Sequence, residues 1–237
     1  MRVFAAGVAV ALCAACGPTD TPRPPAGSPV SSPRPGINLA DVARVRGELP
    51  AGYEVADLVG RVAPLAFWGF GPQWSADPPQ CGVLADPLVD GATVRGWSAS
   101  GPGGIVYVVA AAAARSDAGD VAGGQERSDP GNLAGPDPAL TGECGTSTLS
   151  AGHTSGTMTA VGAPAIDAAT TLGTRTEVIT VVEGGTETRS HADTFTAYFD
   201  GCVAYTTVLT DPGSSGPVLG ADFAAALLVK TVSALRG

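Results

Sequence analysis

The chain of 237 residues is short of charge, at 15% of residues, short of aromatic rings, at 5%, and holds only two histidines. Each shortage removes a class of function. There are 22 acidic residues against 13 basic ones, 12 once Arg2 leaves with the signal described below, and no basic cluster, so neither nucleic acid nor an anionic lipid surface is an electrostatic partner. A Ser-His-Asp site would have to take its base from His153 in SAGHTSG or His191 in RSHADTF, and nothing around either marks a base; both read as structural histidines. Metal patterns are missing as well: there is no paired His at helical spacing, no C-x-x-C with partners and no calcium loop. The Gly-rich GPGG and AGG segments are followed by no Lys-Ser/Thr and cradle no phosphate, so no cofactor is expected. No apolar run reaches the roughly 20 uninterrupted residues that span a bilayer.

What is present begins with MRVFAAGVAVALCAACGP. One positive charge at Arg2, an apolar run from Val3 to Leu12 and small residues up to Cys16 make a secretory signal over residues 1–15. Its end, Cys13-Ala14-Ala15-Cys16, resembles the lipobox of bacterial lipoproteins, with Cys13 where Leu is usual. Cys16 is the expected lipid acceptor, because acylation at Cys13 would put Leu12 where a small residue is needed. The stretch GPTDTPRPPAGSPVSSPRPG, residues 17–36, holds seven prolines and almost no large apolar side chain, so it cannot bury enough surface to fold. In a polyproline-like conformation it reaches about 60 Å from an acyl anchor. Residues 16–37 therefore read as a lipid-anchored tether and residues 38–237 as a single extracytoplasmic domain at the cell membrane, partnered to the bilayer through acyl chains on Cys16.

Within that domain, NLADVARVRGEL places Leu39, Val42, Val45 and Leu49 at helical spacing, with Asn38 as cap and Pro50 as stop. GYEVADLVG reads as a strand. The irregular stretch after it brings Trp68, Phe70 and Trp74 close together between Gly and Pro, either as core under a loop, the preferred reading, or as the wall of a pocket. Residues 115–152 are polar and turn-rich, and no element is assigned there. Further on, Gly184-Gly185 and Asp200-Gly201 each separate extended runs and predict two-residue hairpin turns, hence a three-strand meander. Phe199 then pairs with Cys202, and Phe195, Ala197, Phe199, Cys202, Ala204 and Val208 share the core face. The last segment is an amphipathic helix with Phe223, Leu227, Leu228, Thr231, Val232 and Leu235 on one stripe. The expected fold is α+β: a twisted antiparallel sheet packed by the C-terminal helix and a short N-terminal one.

Two local questions bear on function. In RGWSASGPGG, Ser98 fills part of a G-x-S-x-G frame, but a nucleophile elbow must lead directly into a helix, and GPGG followed by IVYVV is strand-turn-strand chemistry. The three cysteines beyond the signal, Cys81, Cys144 and Cys202, allow three single pairings. Cys81 with Cys144 is preferred because both lie in irregular Gly-rich contexts, whereas Cys202 flanks a tight turn on an inward face and reads as a buried thiol.

The lipobox, CGVLADP, GWSASGPGGIVYVV, APAID at 163–167, VEGGTET, TFTAYF and TDPG before the final helix together resemble a family of mycobacterial lipoproteins. Their domain of unknown function is similar to the extracellular sensor domain of the serine/threonine kinase PknH. The resemblance covers roughly residues 38–237 and implies a mixed α and β domain with an antiparallel sheet and a cleft for an unidentified ligand. The kinase sensors are expected to carry two disulfides, which three cysteines cannot form, so no cleft residue is transferred.

The function expected is a non-enzymatic ligand-binding or sensor-like module of the cell envelope, recognising a small molecule or envelope component. The alternatives are an envelope serine hydrolase using Ser98 with one of the histidines, and a scaffold for other envelope proteins. Cys16→Ser is expected to abolish labelling by a fatty-acid analogue and leave the chain uncleaved or mislocalised, while Cys13→Ser leaves the label intact; loss of label from the Cys13 variant instead would move the acceptor.

Overall fold

Turn chemistry and alternation build a single sheet in the computed structural model, which describes residues 36–58, 60, 62–114, 135–182, 184–210 and 216–237. The signal, Cys16 and nearly all of the tether, residues 115–134 of the polar stretch and residues 211–215 of the TDPG region lie outside the described residues. In chain order the elements are a 3-10 helix, Leu39–Glu48; β1, Glu54–Asp57; α1, Pro64–Phe67; β2, Ser75–Asp77; a 3-10 turn, Pro79–Cys81, running into α2, Gly82–Ala85; β3, Arg95–Gly101; and β4, Gly104–Ala112. They continue with α3, Pro138–Glu143; β5, Thr146–Ala151; β6, Thr154–Val161; β7, Thr170–Val181; β8, Glu187–Phe199; β9, Cys202–Leu209; and α4, Ala221–Arg236. The strands pair antiparallel in the spatial order β1-β3-β4-β9-β8-β7-β6-β5-β2.

RGWSASGPGGIVYVV forms the β3–β4 hairpin, with Ser98 opposite Tyr107. Its turn demands glycine at position 104: φ is +117°, and a Cβ there would sit 2.4 Å from the Leu209 carbonyl oxygen. Asp200 and Gly201 both take left-handed φ, 47° and 77°, and close a two-residue turn that pairs Phe199 with Cys202 as the sequence predicts. The Gly184-Gly185 hairpin departs from expectation. Val181 pairs with Glu187, and the Val182 N–H donates to the Thr186 carbonyl, so this turn is one residue longer than two.

The meander is also longer than predicted, because β5 and β6 precede it within residues 146–161. Their inward positions include Ser147, Thr154 and Gly156 beside Leu149 and Met158, so the apolar alternation that signals a strand is faint.

One face of the sheet carries α4 and the N-terminal helix. Trp97, Val106, Val108, Phe195, Ala197, Phe199, Cys202, Ala204 and Val208 meet Leu227, Leu228, Val232 and Leu235 of α4 and Val42 and Val45 of the 3-10 helix. Each large aliphatic side chain so buried contributes about 1.5–3 kcal/mol. The α4 stripe is as read from sequence except that Ala224 is fully buried and Phe223 only partly. The N-terminal helix winds as a 3-10 rather than an α-helix, and its Leu39, Val42, Val45 spacing of three residues matches the three-residue turn of that form. Asn38 caps it by accepting from the Ala40 N–H, and the Trp97 indole donates to the Val42 carbonyl at 2.9 Å, tying it to the sheet. Buried hydroxyls on this side are paired: Thr206 donates to the Ala224 carbonyl and Thr231 to that of Leu227. Arg236 fastens the end of α4 through the Asp200 carboxylate and the carbonyls of Asp167 and Ala168, its guanidinium 5.1 Å above the Phe199 ring.

The opposite face is covered by the chain itself. β1 and β2 are successive in sequence yet stand at opposite edges, so the segment between them must cross the whole sheet, and the segment from β2 to β3 must return. This strap carries Leu65, Phe67, Trp68, Phe70, Cys81, Leu84, Ala85 and Val89 into a second core with Val109, Ala111, Leu149, Met158, Val178, Ala192, Val203 and Tyr205 of the sheet.

Candidate functional site

The strap positions the aromatic residues singled out in the sequence. Pro64 opens α1, and Phe67 at its end stacks on Tyr107 of β4, centroids 3.7 Å apart and planes at 10°, with Tyr205 of β9 tilted beside it at 6.5 Å. The Tyr205 hydroxyl donates to the Val62 carbonyl. Phe70 rests over Gly156 of β6, where a Cβ would come within 3.0 Å of the ring. Phe67 and Phe70 therefore reach to either side of β9, β8 and β7, with Trp68 between them in the chain. Trp68 and Phe70 are core residues, 2% and 5% exposed, and Trp74 is half-buried against Gly82 and Ala76.

The returning arm is locked by a disulfide between Cys81 and Cys144, with Cα atoms 5.5 Å apart, which joins the strap to the end of α3 just before β5. Across a sequence separation of 63 such a bridge contributes on the order of 4 kcal/mol in the chain-entropy model. Cys202 is a buried free thiol, as expected, and burial, helped by the Asp200 charge, pushes its pKa up to about 11. It stays protonated at neutral pH.

Beneath the strap the sheet is rich in hydroxyls and bare of charge. Register places Thr174, Thr194 and Thr207 directly opposite one another on β7, β8 and β9, with Thr176 and Thr196 as neighbours on the same face. None is more than 3% exposed. The Thr194 and Thr207 hydroxyls bond each other at 2.8 Å. Thr176 Oγ1, Ser147 Oγ and Trp68 Nε1 are buried and have no hydrogen-bond partner. Ser147 and Thr176 lie in one cross-strand row with Met158 between them. The charged strand residues Arg95, Arg175, Glu177, Glu187, Arg189 and Asp193 all share the register of the helix face, as does His191. Among the described residues, no Asp, Glu, Lys, Arg or His of β3–β9 faces the strap. The phenols there are held protonated by burial: the pKa values of Tyr107 and Tyr198 are both raised, Tyr198 also by the charge of Asp86.

The residues of the hydrolase alternative are not brought together. Ser98 is mid-strand on the strap face, between Ala56 and Tyr107. His191 is three strands away on the helix face, roughly 14 Å along the sheet alone, and His153 lies at the exposed β5–β6 turn, farther still. His191 is engaged locally: its N–H donates to Thr210 Oγ1 at 2.8 Å, and its Nδ1 lies 3.3 Å from the same oxygen. A shallow depression of about 270 Å³ beside it is lined by Glu177, Arg189 and Thr210. The charges around it are mutually paired, Arg189 with Glu187 at 3.0 Å and Arg175 with the buried Asp193 at 2.8 Å. Among the described residues, no three His, Cys, Asp or Glu side chains gather where a metal could be held, and no helix is long and apolar enough to cross a membrane.

A strapped antiparallel sheet with a helix on its other face defines an α+β domain, and the chain belongs to the family of a domain of unknown function, DUF5642, whose model matches residues 38–127 and 128–236. The fold is similar to that of an uncharacterized protein, the Rv0999 ortholog from Mycobacterium smegmatis, at 19% identity over 86% of this chain and 99% of that one, with a TM-score of 0.58. The extracellular domain of PknH from Mycobacterium tuberculosis matches at 12% identity over 86% of this chain and 98% of that one, with a TM-score of 0.39. No curated protein matches the chain.

The hydroxyls of Thr176 and Ser147 escaped the sequence reading because Thr and Ser are ordinary strand residues; only the tertiary structure reveals that they are buried and unpaired. An unpaired buried hydroxyl costs about 1–3 kcal/mol, whereas an apolar group of the same shape avoids that penalty. Thr176→Val is accordingly expected to stabilise the ligand-free protein by about 1 kcal/mol in urea unfolding; destabilisation would mean that the hydroxyl is bonded after all.

Proposed function

We propose that the protein is a non-enzymatic ligand-binding or sensor-like module of the cell envelope, displayed on the extracytoplasmic face of the cell membrane by acyl chains on Cys16. The observation that carries the binding reading is the pair of buried, unpartnered hydroxyls of Ser147 and Thr176 on the sheet face beneath the strap, with the unpartnered indole nitrogen of Trp68 in the strap itself. Native proteins leave few such groups, and each that persists asks for a partner or a use. The extracytoplasmic part of the reading is supported by the Cys81–Cys144 disulfide, a bond characteristic of oxidising compartments, and by the signal, lipobox and proline-rich tether of the sequence. The separation of Ser98 from both histidines favours binding over hydrolysis.

A thermal-shift screen of the oxidised protein against envelope lipids, glycans and small metabolites tests this reading. A true ligand raises Tm progressively with concentration, by mass action on the native state. Absence of a shift with every class would overturn it.

A further inference from the structure

We infer that two copies of this chain pack through the outer face of α4, antiparallel about a two-fold axis at Ala226. This face is the side of the helix turned away from the sheet. At about 100° per residue Asp222, Ala226, Val229, Lys230 and Ser233 fall on one stripe, and all five are exposed. A helix side that meets only water normally carries charged and polar residues. Here Asp222 and Lys230 alone are charged, and between them stand Ala226 and Val229, the latter 40% exposed. The remaining charge of the helix, Arg236, is committed to Asp200 and the carbonyls of Asp167 and Ala168.

The order of residues along the stripe decides the occupant. Asp222 and Lys230 each lie one helical turn from Ala226, on opposite sides, so reversing the helix about Ala226 sets Asp222 of one copy against Lys230 of the other, twice. The angles agree as well. Asp222 is displaced about 40° from Ala226 in one direction around the helix and Lys230 about 40° in the other, so both members of each pair fall on the same flank of the contact. The same reversal brings Phe223, which is only partly buried, against Val229. Ala226 meets its own copy, and so small a side chain lets the helices approach to about 8 Å. Asp222 has no ion-pair partner within its own chain among the described residues, whereas Lys230 pairs with Glu48, a pair that the second copy's carboxylate would join. An unrelated partner has no need of a pattern that complements itself.

The surroundings accommodate this arrangement. A shallow groove of about 420 Å³ runs beside Val229 and Lys230, against Val45 and Glu48 of the N-terminal 3-10 helix. Antiparallel packing carries the second copy's Val218, 53% exposed just ahead of its α4, toward that groove. The Asn38 N–H donates to the Leu235 carbonyl, so each chain enters its domain at the C-terminal end of α4. In the pair these entry points stand roughly 27 Å apart along the helices, a distance that twenty residues of chain span.

Disulfide trapping in the full chain tests the pairing, and it suits an interface as small as one helix pair. Ala226→Cys places its thiol on the axis and is expected to link two copies under mild oxidation. Thr157→Cys, exposed on β6 away from α4, is expected to give no more dimer than the parent chain. Adding Asp222→Lys to Ala226→Cys opposes like charges at both ends of the contact and should slow linking about tenfold; adding Lys230→Asp as well restores opposite pairs and with them the rate. No dimer from the Ala226→Cys variant, as much dimer from the Thr157→Cys variant, or a linking rate indifferent to the charge substitutions would overturn the inference. Linkage of the Ala226→Cys variant only to a different protein would overturn the second copy as occupant.

Discussion

A disulfide between Cys81 and Cys144 ties the strap across the sheet to the end of α3. The sheet has two apolar faces, and α4 with the N-terminal helix covers only one. The second is closed by a strap that crosses from the β1 edge to the β2 edge and back with little regular structure of its own: α1 and α2 have four residues each and β2 has three. Elements that short do not stand alone in water. The bridge to α3, the Phe67–Tyr107 stack and the Tyr205–Val62 bond give the strap one position, and Leu149, Met158, Val178 and Tyr205 are buried under it.

The two faces answer to different chemistry. On the helix side, buried hydroxyls of Thr206 and Thr231 find carbonyls and the charged ladder of β7 and β8 pairs off at its margin, as expected of a surface selected for stability. On the strap side, the buried hydroxyls of Ser147 and Thr176 have no hydrogen-bond partner, and the charged side chains of β7 and β8 face the other way. A sheet face that needed only to be core would do better with Val at 176. Thr at 176 sets stability against some other demand, in keeping with the proposed binding role.

Much of the helix side was legible in the sequence because its determinants are local. The Asp200-Gly201 turn fixed the register of Phe199 with Cys202, and the spacing of Leu227, Leu228, Val232 and Leu235 named the buried stripe of α4. The Gly-rich settings of Cys81 and Cys144 pointed to the correct bridge. Non-local features stayed hidden. No pattern within GYEVADLVG or QWSADPPQ announces that the two strands stand at opposite edges of one nine-stranded sheet, and β5 and β6 are faint in the sequence because Ser, Thr and Gly occupy inward sites. Trp68 and Phe70 stand out in the sequence by their spacing, and their burial supports the core reading, but that the Trp68 indole nitrogen has no partner follows from the tertiary packing of the strap on the sheet.

Hydrogen–deuterium exchange on the parent and on a Cys81→Ala/Cys144→Ala variant tests the central claim, that a disulfide-held strap closes a sheet face whose other side folds without it. The account predicts faster exchange confined to residues 62–89 and the neighbouring strands β5 and β6, while β4, β8, β9 and α4 keep their protection. Exchange that quickens evenly through α4 and the central strands, or a strap as protected without the bridge as with it, would contradict it.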